Sequence, residues 1–169
     1  MNPYANIIWR QLNMTNKFIL ENKISSIKKY LKILDDYKDL SREKITNDVN
    51  TKGAVERYLY LATQATIDLA EAIISYKNYR KPATFSESFT ILAEEKIIDK
   101  ILEEKLTKMV GFRNALAHGY EKIDYEVVYD SLQNGPKDIG GFINIVEDLY
   151  SWATLRTSSM LVIPWRAFR

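Results

Sequence analysis

A chain of 169 residues with 46% apolar and 27% charged content can bury one real core, and it lies far from disordered composition. It has no cysteine and one histidine, His118, which excludes disulfides and cysteine nucleophiles and leaves a zinc centre short of ligands. The net charge of +2 belongs to the ends: Arg10, Arg156, Arg166 and Arg169 stand in acid-free termini, and residues 14–149 carry about −2. A general surplus of positive charge for nucleic acid is therefore absent, and any such binding has to use a local patch.

Residues 14–149 are expected to form one helical domain, with an N-terminal extension over 1–13 and a C-terminal extension over 150–169. The first stretch is too polar and short for a signal peptide. The apolar run Met160–Ile163 is far too short to span a bilayer, so a cytoplasmic protein is the simple expectation. The tail holds two of the three tryptophans and reads either as a partner- or dimer-binding extension or as a weakly ordered end.

Within the body, Leu20, Ile24, Ile27, Leu31 and Leu34 recur at spacings of four and three, which predicts a helix over about 16–38. The polar stretch 38–52 suits turns or a short helix. Val55, Leu59, Ala62, Thr66, Leu69, Ile73 and Tyr76 repeat the rhythm on a second long helix, about 52–80. Pro82 ends it. Thr84 and Glu87 have capping-box spacing for a shorter helix with Phe85, Phe89 and Leu92 on its apolar side. Asp99 is placed to cap a third long helix, about 99–118, with Gly119 at its C-cap. Asp124 can cap a short helix over 125–132. Asn134-Gly135-Pro136 reads as a turn, and a last helix runs to about 150. Strand-like alternation is absent. The expected fold is all-α: an antiparallel four-helix bundle with one or two short extra helices.

One segment calls for chemistry. Residues 111–120, GFRNALAHGY, place Arg113, Asn114, His118 and Tyr120 together at the end of a helix. On an ideal helix Arg113 and His118 diverge by about 140°. They converge if the helix loosens at 117–119, or across a two-fold dimer. These residue types suit RNA phosphodiester cleavage without metal. A histidine can move a proton to or from the reacting oxygens, an arginine can hold the phosphate, and Asn114 can orient either. The competing reading is structural: Arg113 pairs with an acid such as Asp68 or Glu71, and His118 merely ends the helix.

The order Arg113-x4-His118-x-Tyr120 resembles the motif of HEPN-domain ribonuclease toxins of the HepT type. Similar positions extend through Glu56–Ala62, Ile67–Ala70, Tyr79–Pro82, Phe89–Ala93 and Met109–Asn114 to Ile123-Asp124, covering roughly 17–149. The resemblance implies the toxin of a type VII toxin–antitoxin pair: a homodimeric, metal-independent endoribonuclease acting on cellular RNA, either tRNA or mRNA, with Arg113 and His118 catalytic. It implies as partner a minimal nucleotidyltransferase antitoxin that uses ATP with Mg to place AMP on the motif tyrosine, here Tyr120. The ribonuclease itself would need no cofactor. Added phosphates beside Arg113 would occupy the RNA phosphate site. Thr66 stands where the family often has an acid, which leaves Asp68 as the supporting acid expected to orient Arg113. The alternative function is a non-catalytic helical module that holds substrate or nucleotide for a nucleotidyltransferase. Outside the motif, Arg80-Lys81 and Lys28-Lys29-Lys32 are weaker candidates for RNA contact, and the eleven tyrosines read mainly as packing residues.

Overall fold

The computed structural model describes the backbone of residues 3–118 and 124–159, and the side chains of 18–118 and 124–149. The described residues form six helices and no strand: α1 (Pro3–Asp35), α2 (Arg42–Asn47), α3 (Val49–Lys77), α4 (Phe85–Glu94), α5 (Lys100–Ala117) and α6 (Tyr125–Ser159). The four long helices alternate in direction, and α3 touches each of the other five. The stripes read from the sequence are the faces that meet. Leu20, Ile24, Ile27 and Leu34 of α1, Val55, Leu59, Leu69 and Ile73 of α3, and Ile139, Phe142 and Val146 of α6 are buried together. Phe89 of the short α4 meets Phe142 edge to face, with ring centroids 6.0 Å apart.

Local chemistry sets most of the boundaries. The Thr84 hydroxyl accepts from the Glu87 N–H at 3.2 Å, and the Asp99 carboxylate accepts from the Leu102 N–H at 2.7 Å. Asp124 opens α6 by accepting from the Glu126 N–H at 2.9 Å. At the end of α3, Asn78 takes a left-handed conformation with φ 56°, and its N–H closes on Ile74 and Ser75. That C-cap ends the helix at Lys77, ahead of Pro82.

Two expectations need correction. Helix α1 starts at Pro3, well before residue 16. The turn at Asn134-Gly135-Pro136 does not form, since α6 runs unbroken from Tyr125 to Ser159 with Pro136 inside it. The reason lies in packing. An added Cβ on Gly135 would come within 3.3 Å of Met109 Cε, so Gly135 is where α6 comes close to α5. Leu132 and Ile139 are buried on either side of it. Burial on both sides of the Gly-Pro pair outweighs the roughly 3 kcal/mol that an interior proline costs a helix.

Candidate functional site

Arg113 lies on the last turns of α5, half-buried against α3 and α4. Its Nη1 donates to Asn114 Oδ1 at 3.0 Å, and its Nη2 donates to the Tyr60 hydroxyl at 3.0 Å. The guanidinium carbon sits 4.8 Å from the Tyr60 ring centroid and 5.4 Å from that of Phe85. Two aromatic rings thus flank the cation, an arrangement that favours a planar guanidinium over an ammonium. Among the described residues Arg113 makes no ion pair, and its Nε is buried without a hydrogen-bond partner.

The expected support from Asp68 is not there. Asp68 accepts a hydrogen bond from Gln64 Nε2 at 2.7 Å and lies 3.8 Å from Lys23 Nζ. Its position on α3 turns the carboxylate toward α1, whereas Tyr60 stands on the face that meets α5. Glu71 does not pair with Arg113 either, although it lines a cleft next to Asn114. Thr66 is buried and returns its hydroxyl to the Ala62 carbonyl at 2.7 Å, so it serves its own helix. Asn114, by contrast, does touch Arg113.

His118 is the C-cap of α5. Its N–H donates to the Asn114 carbonyl at 3.1 Å, so the helical turn persists up to it, and the residue is exposed. Helix α5 thus ends at Ala117, inside the 117–119 window where an end or a loosening can let Arg113 and His118 converge in one chain, and His118 is the first residue past it. Tyr120 and Gly119 lie outside the described residues.

The sequence reading did not single out the immediate neighbours of the motif arginine. Tyr60 was one of many tyrosines, and Phe85 was a core position of α4, yet Phe85 is 38% exposed. Arg57, one turn before Tyr60, places its guanidinium carbon 5.7 Å from the Tyr60 centroid. The i,i+3 spacing of Arg57 and Tyr60 was the one signal available. Two clefts border this group. One, of about 390 Å³, is lined by Gly53, Glu56, Arg57, Tyr60, Leu116 and Ala117. The other, of about 290 Å³, runs past Phe85, Thr84, Val110 and Asn114.

The far wall of the first cleft is tied down. Glu56 accepts a short hydrogen bond from the Tyr125 hydroxyl, and Lys52 Nζ lies 4.1 Å from the Tyr125 ring centroid. Burial raises the Tyr125 pKa, with the Glu56 carboxylate adding to it. Hydrogen bonding to Tyr125 raises that of Lys52. Elsewhere Arg80 pairs with Glu87 and Glu94, and Lys28 bonds Glu147 at 2.7 Å, which further weakens these two minor candidates for RNA contact. Among the described residues, no three His, Asp or Glu side chains cluster as metal ligands. No helix among them is long and apolar enough to cross a membrane.

Comparison with known proteins decides the family. Residues 27–146 match the model described as ribonuclease HepT-like. The chain belongs to the HepT-like ribonuclease family. It is 32% identical over 130 residues to the mRNA nuclease HepT of Shewanella oneidensis, covering 76% of this chain and 96% of that protein. It is 31% identical over 118 residues to the tRNA nuclease HepT of Aphanizomenon flos-aquae, covering 69% of this chain and 80% of that one. Among solved structures it is similar to a tri-AMPylated Shewanella oneidensis HEPN toxin in complex with an MNT antitoxin. That match has 30% identity and a TM-score of 0.72 and covers 77% of this chain and 97% of that one. The helical HepT-like fold, the ribonuclease family and the HEPN character of the resemblance are thereby established.

Proposed function

We propose that this HepT-like ribonuclease is the toxin of a toxin–antitoxin pair, cleaving cellular RNA through Arg113 and His118 without a metal. The observation that carries the reading is Arg113 itself. It is held by Tyr60, Phe85 and Asn114 and, among the described residues, left without a carboxylate, at the helix end that also bears His118. An arginine left in this state suits a phosphate, whose charge it can neutralise and whose oxygens its free N–H groups can meet.

In this reading His118 moves the proton. It takes one from the attacking 2′-hydroxyl or gives one to the leaving 5′-oxygen, and the counterpart comes from a second copy of the chain in a homodimer. Exposure of His118 at the end of α5 supports access from that second copy. Asn114 and Tyr60 hold Arg113 in position for the phosphate. The partner is a minimal nucleotidyltransferase antitoxin, using ATP with Mg, that adds AMP to Tyr120. An MNT antitoxin accompanies the AMPylated Shewanella toxin. The pair would act in the cytoplasm, where both tRNA and mRNA are accessible; the relatives include nucleases named for each.

The test is coexpression. His118→Ala should abolish growth inhibition and RNA cleavage while the protein keeps its helical spectrum. Intact mass after coexpression with the nucleotidyltransferase should rise by AMP units in the wild type and stay unchanged in Tyr120→Phe. Cleavage at wild-type rate by His118→Ala overturns the catalytic assignment. If AMP is attached but no RNA is cleaved by any form, the chain is instead a non-catalytic nucleotide-binding partner.

A further inference from the structure

We infer that Arg57 is a second phosphate-binding residue, and that the cleft of about 390 Å³ beside it carries the RNA strand on from the scissile phosphate at Arg113. This rests on the ribonuclease reading above and adds to it a substrate-binding residue outside the motif.

The argument begins with how the arginines are used. Four have described side chains. Arg42 is paired with Glu126, and Arg80 with Glu87 and Glu94. Arg57 and Arg113 have no carboxylate among the described residues, in a body whose acids outnumber its bases. These two share one ring. Their guanidinium carbons lie 5.7 Å and 4.8 Å from the Tyr60 centroid, so they are at most about 10.5 Å apart, the sum of the two. Two phosphates only a few nucleotides apart on one strand can span that separation.

The surroundings fit a passing strand. Arg57 is exposed and lines the cleft, and its guanidinium stays beside the Tyr60 ring that also holds Arg113. Leu116 and Ala117 of α5 form the opposite wall, just before His118 in the chain. The one acid lining the cleft, Glu56 of α3, accepts from the Tyr125 hydroxyl. Gly53 leaves the far end open, with no atom within 4 Å of where a Cβ would stand. Two arginines on one aromatic ring also supply the local patch that a slightly acidic body requires.

The experiment measures binding and cleavage separately. The binding probe is a fluorescein-labelled 2′-O-methyl RNA 12-mer of mixed sequence, which lacks the attacking hydroxyl. Its affinity for the full-length protein is followed against salt. Arg57→Ala should weaken binding about tenfold and lower the slope of log K against log salt by about 0.7, the value for one phosphate on a single strand. Arg57→Lys should retain the slope. In cleavage of total RNA, Arg57→Ala should raise KM with kcat little changed, because the residue is remote from the reacting atoms. A slope unchanged in Arg57→Ala, in a protein that melts like the wild type, overturns the proposal. A slope that falls while no form cleaves RNA upholds the phosphate contact and overturns the ribonuclease reading instead.

Discussion

The two ends of α5 each hold a charged side chain against the core, and they treat it in opposite ways. Near the N-terminus Glu103 is almost fully buried, and its carboxylate accepts from Lys100 Nζ at 2.7 Å and from the Thr90 hydroxyl at 2.9 Å. Near the C-terminus Arg113 has a tyrosine hydroxyl, an amide oxygen and two rings and, among the described residues, no carboxylate and no acceptor for its buried Nε. The first charge is satisfied by the fold. The second is positioned by the fold and, among the described residues, paired with no opposite charge. On the proposed function, that contrast sets a structural charge against one kept for a ligand, on a single helix.

Three substitutions probe it, in falling order of expected effect. Arg113→Ala should lower RNA cleavage by about 10²–10³-fold, the usual cost of losing one preorganised charge at a transition state. Its denaturant midpoint should change little, since the buried Nε goes with the side chain; a large loss of stability would make Arg113 structural after all. Glu103→Ala should do the reverse. It should cost about 1–2 kcal/mol in urea unfolding, because Thr90 and Lys100 lose their acceptor, with cleavage per folded molecule unchanged. The same carboxyl has a pKa lowered by its bond to Lys100 and then by Thr90. Its contribution is therefore complete above the unfolded value of about 4.3 and is lost as the pH falls through the lower folded value. An acid titration of stability should show that loss in the wild type and lack it in Glu103→Ala. The smallest effect belongs to Gly141→Ala in α6, where no atom lies within 4 Å of the added Cβ. It should stabilise by about 0.5–1 kcal/mol through helix propensity and raise the melting midpoint without touching activity.

Much of this fold could be read from spacing. Two apolar stripes gave α1 and α3, and Thr84, Asp99 and Asp124 gave three caps, because these are local rules. What misled was equally local. Asn134-Gly135-Pro136 has the residues of a turn, and only the approach of Met109 and burial on both flanks show why it is helical. The candidate site was half legible. Arg113 and His118 stood out by their order, and Asn114 by adjacency. Asp68 looked like the natural acid for Arg113 because both lie on neighbouring helices. Which face of α3 it leaves from depends on how α1 and α5 divide that helix between them. Tyr60, Arg57 and Phe85 were hidden for the same reason: their grouping comes from three helices meeting, and the i,i+3 spacing of Arg57 and Tyr60 records only part of it.

The buried Nε of Arg113 has a thermodynamic consequence. A polar group held away from water without a partner costs about 1–3 kcal/mol, and among the described residues nothing meets Arg113 Nε. An anion that reaches the arginine binds the folded form and has little to hold in the unfolded one. Occupancy and folding are therefore linked, with stability growing by RT ln(1 + [L]/Kd). On the proposed function, a phosphate that reaches Arg113 would therefore raise the stability of the folded bundle as it binds.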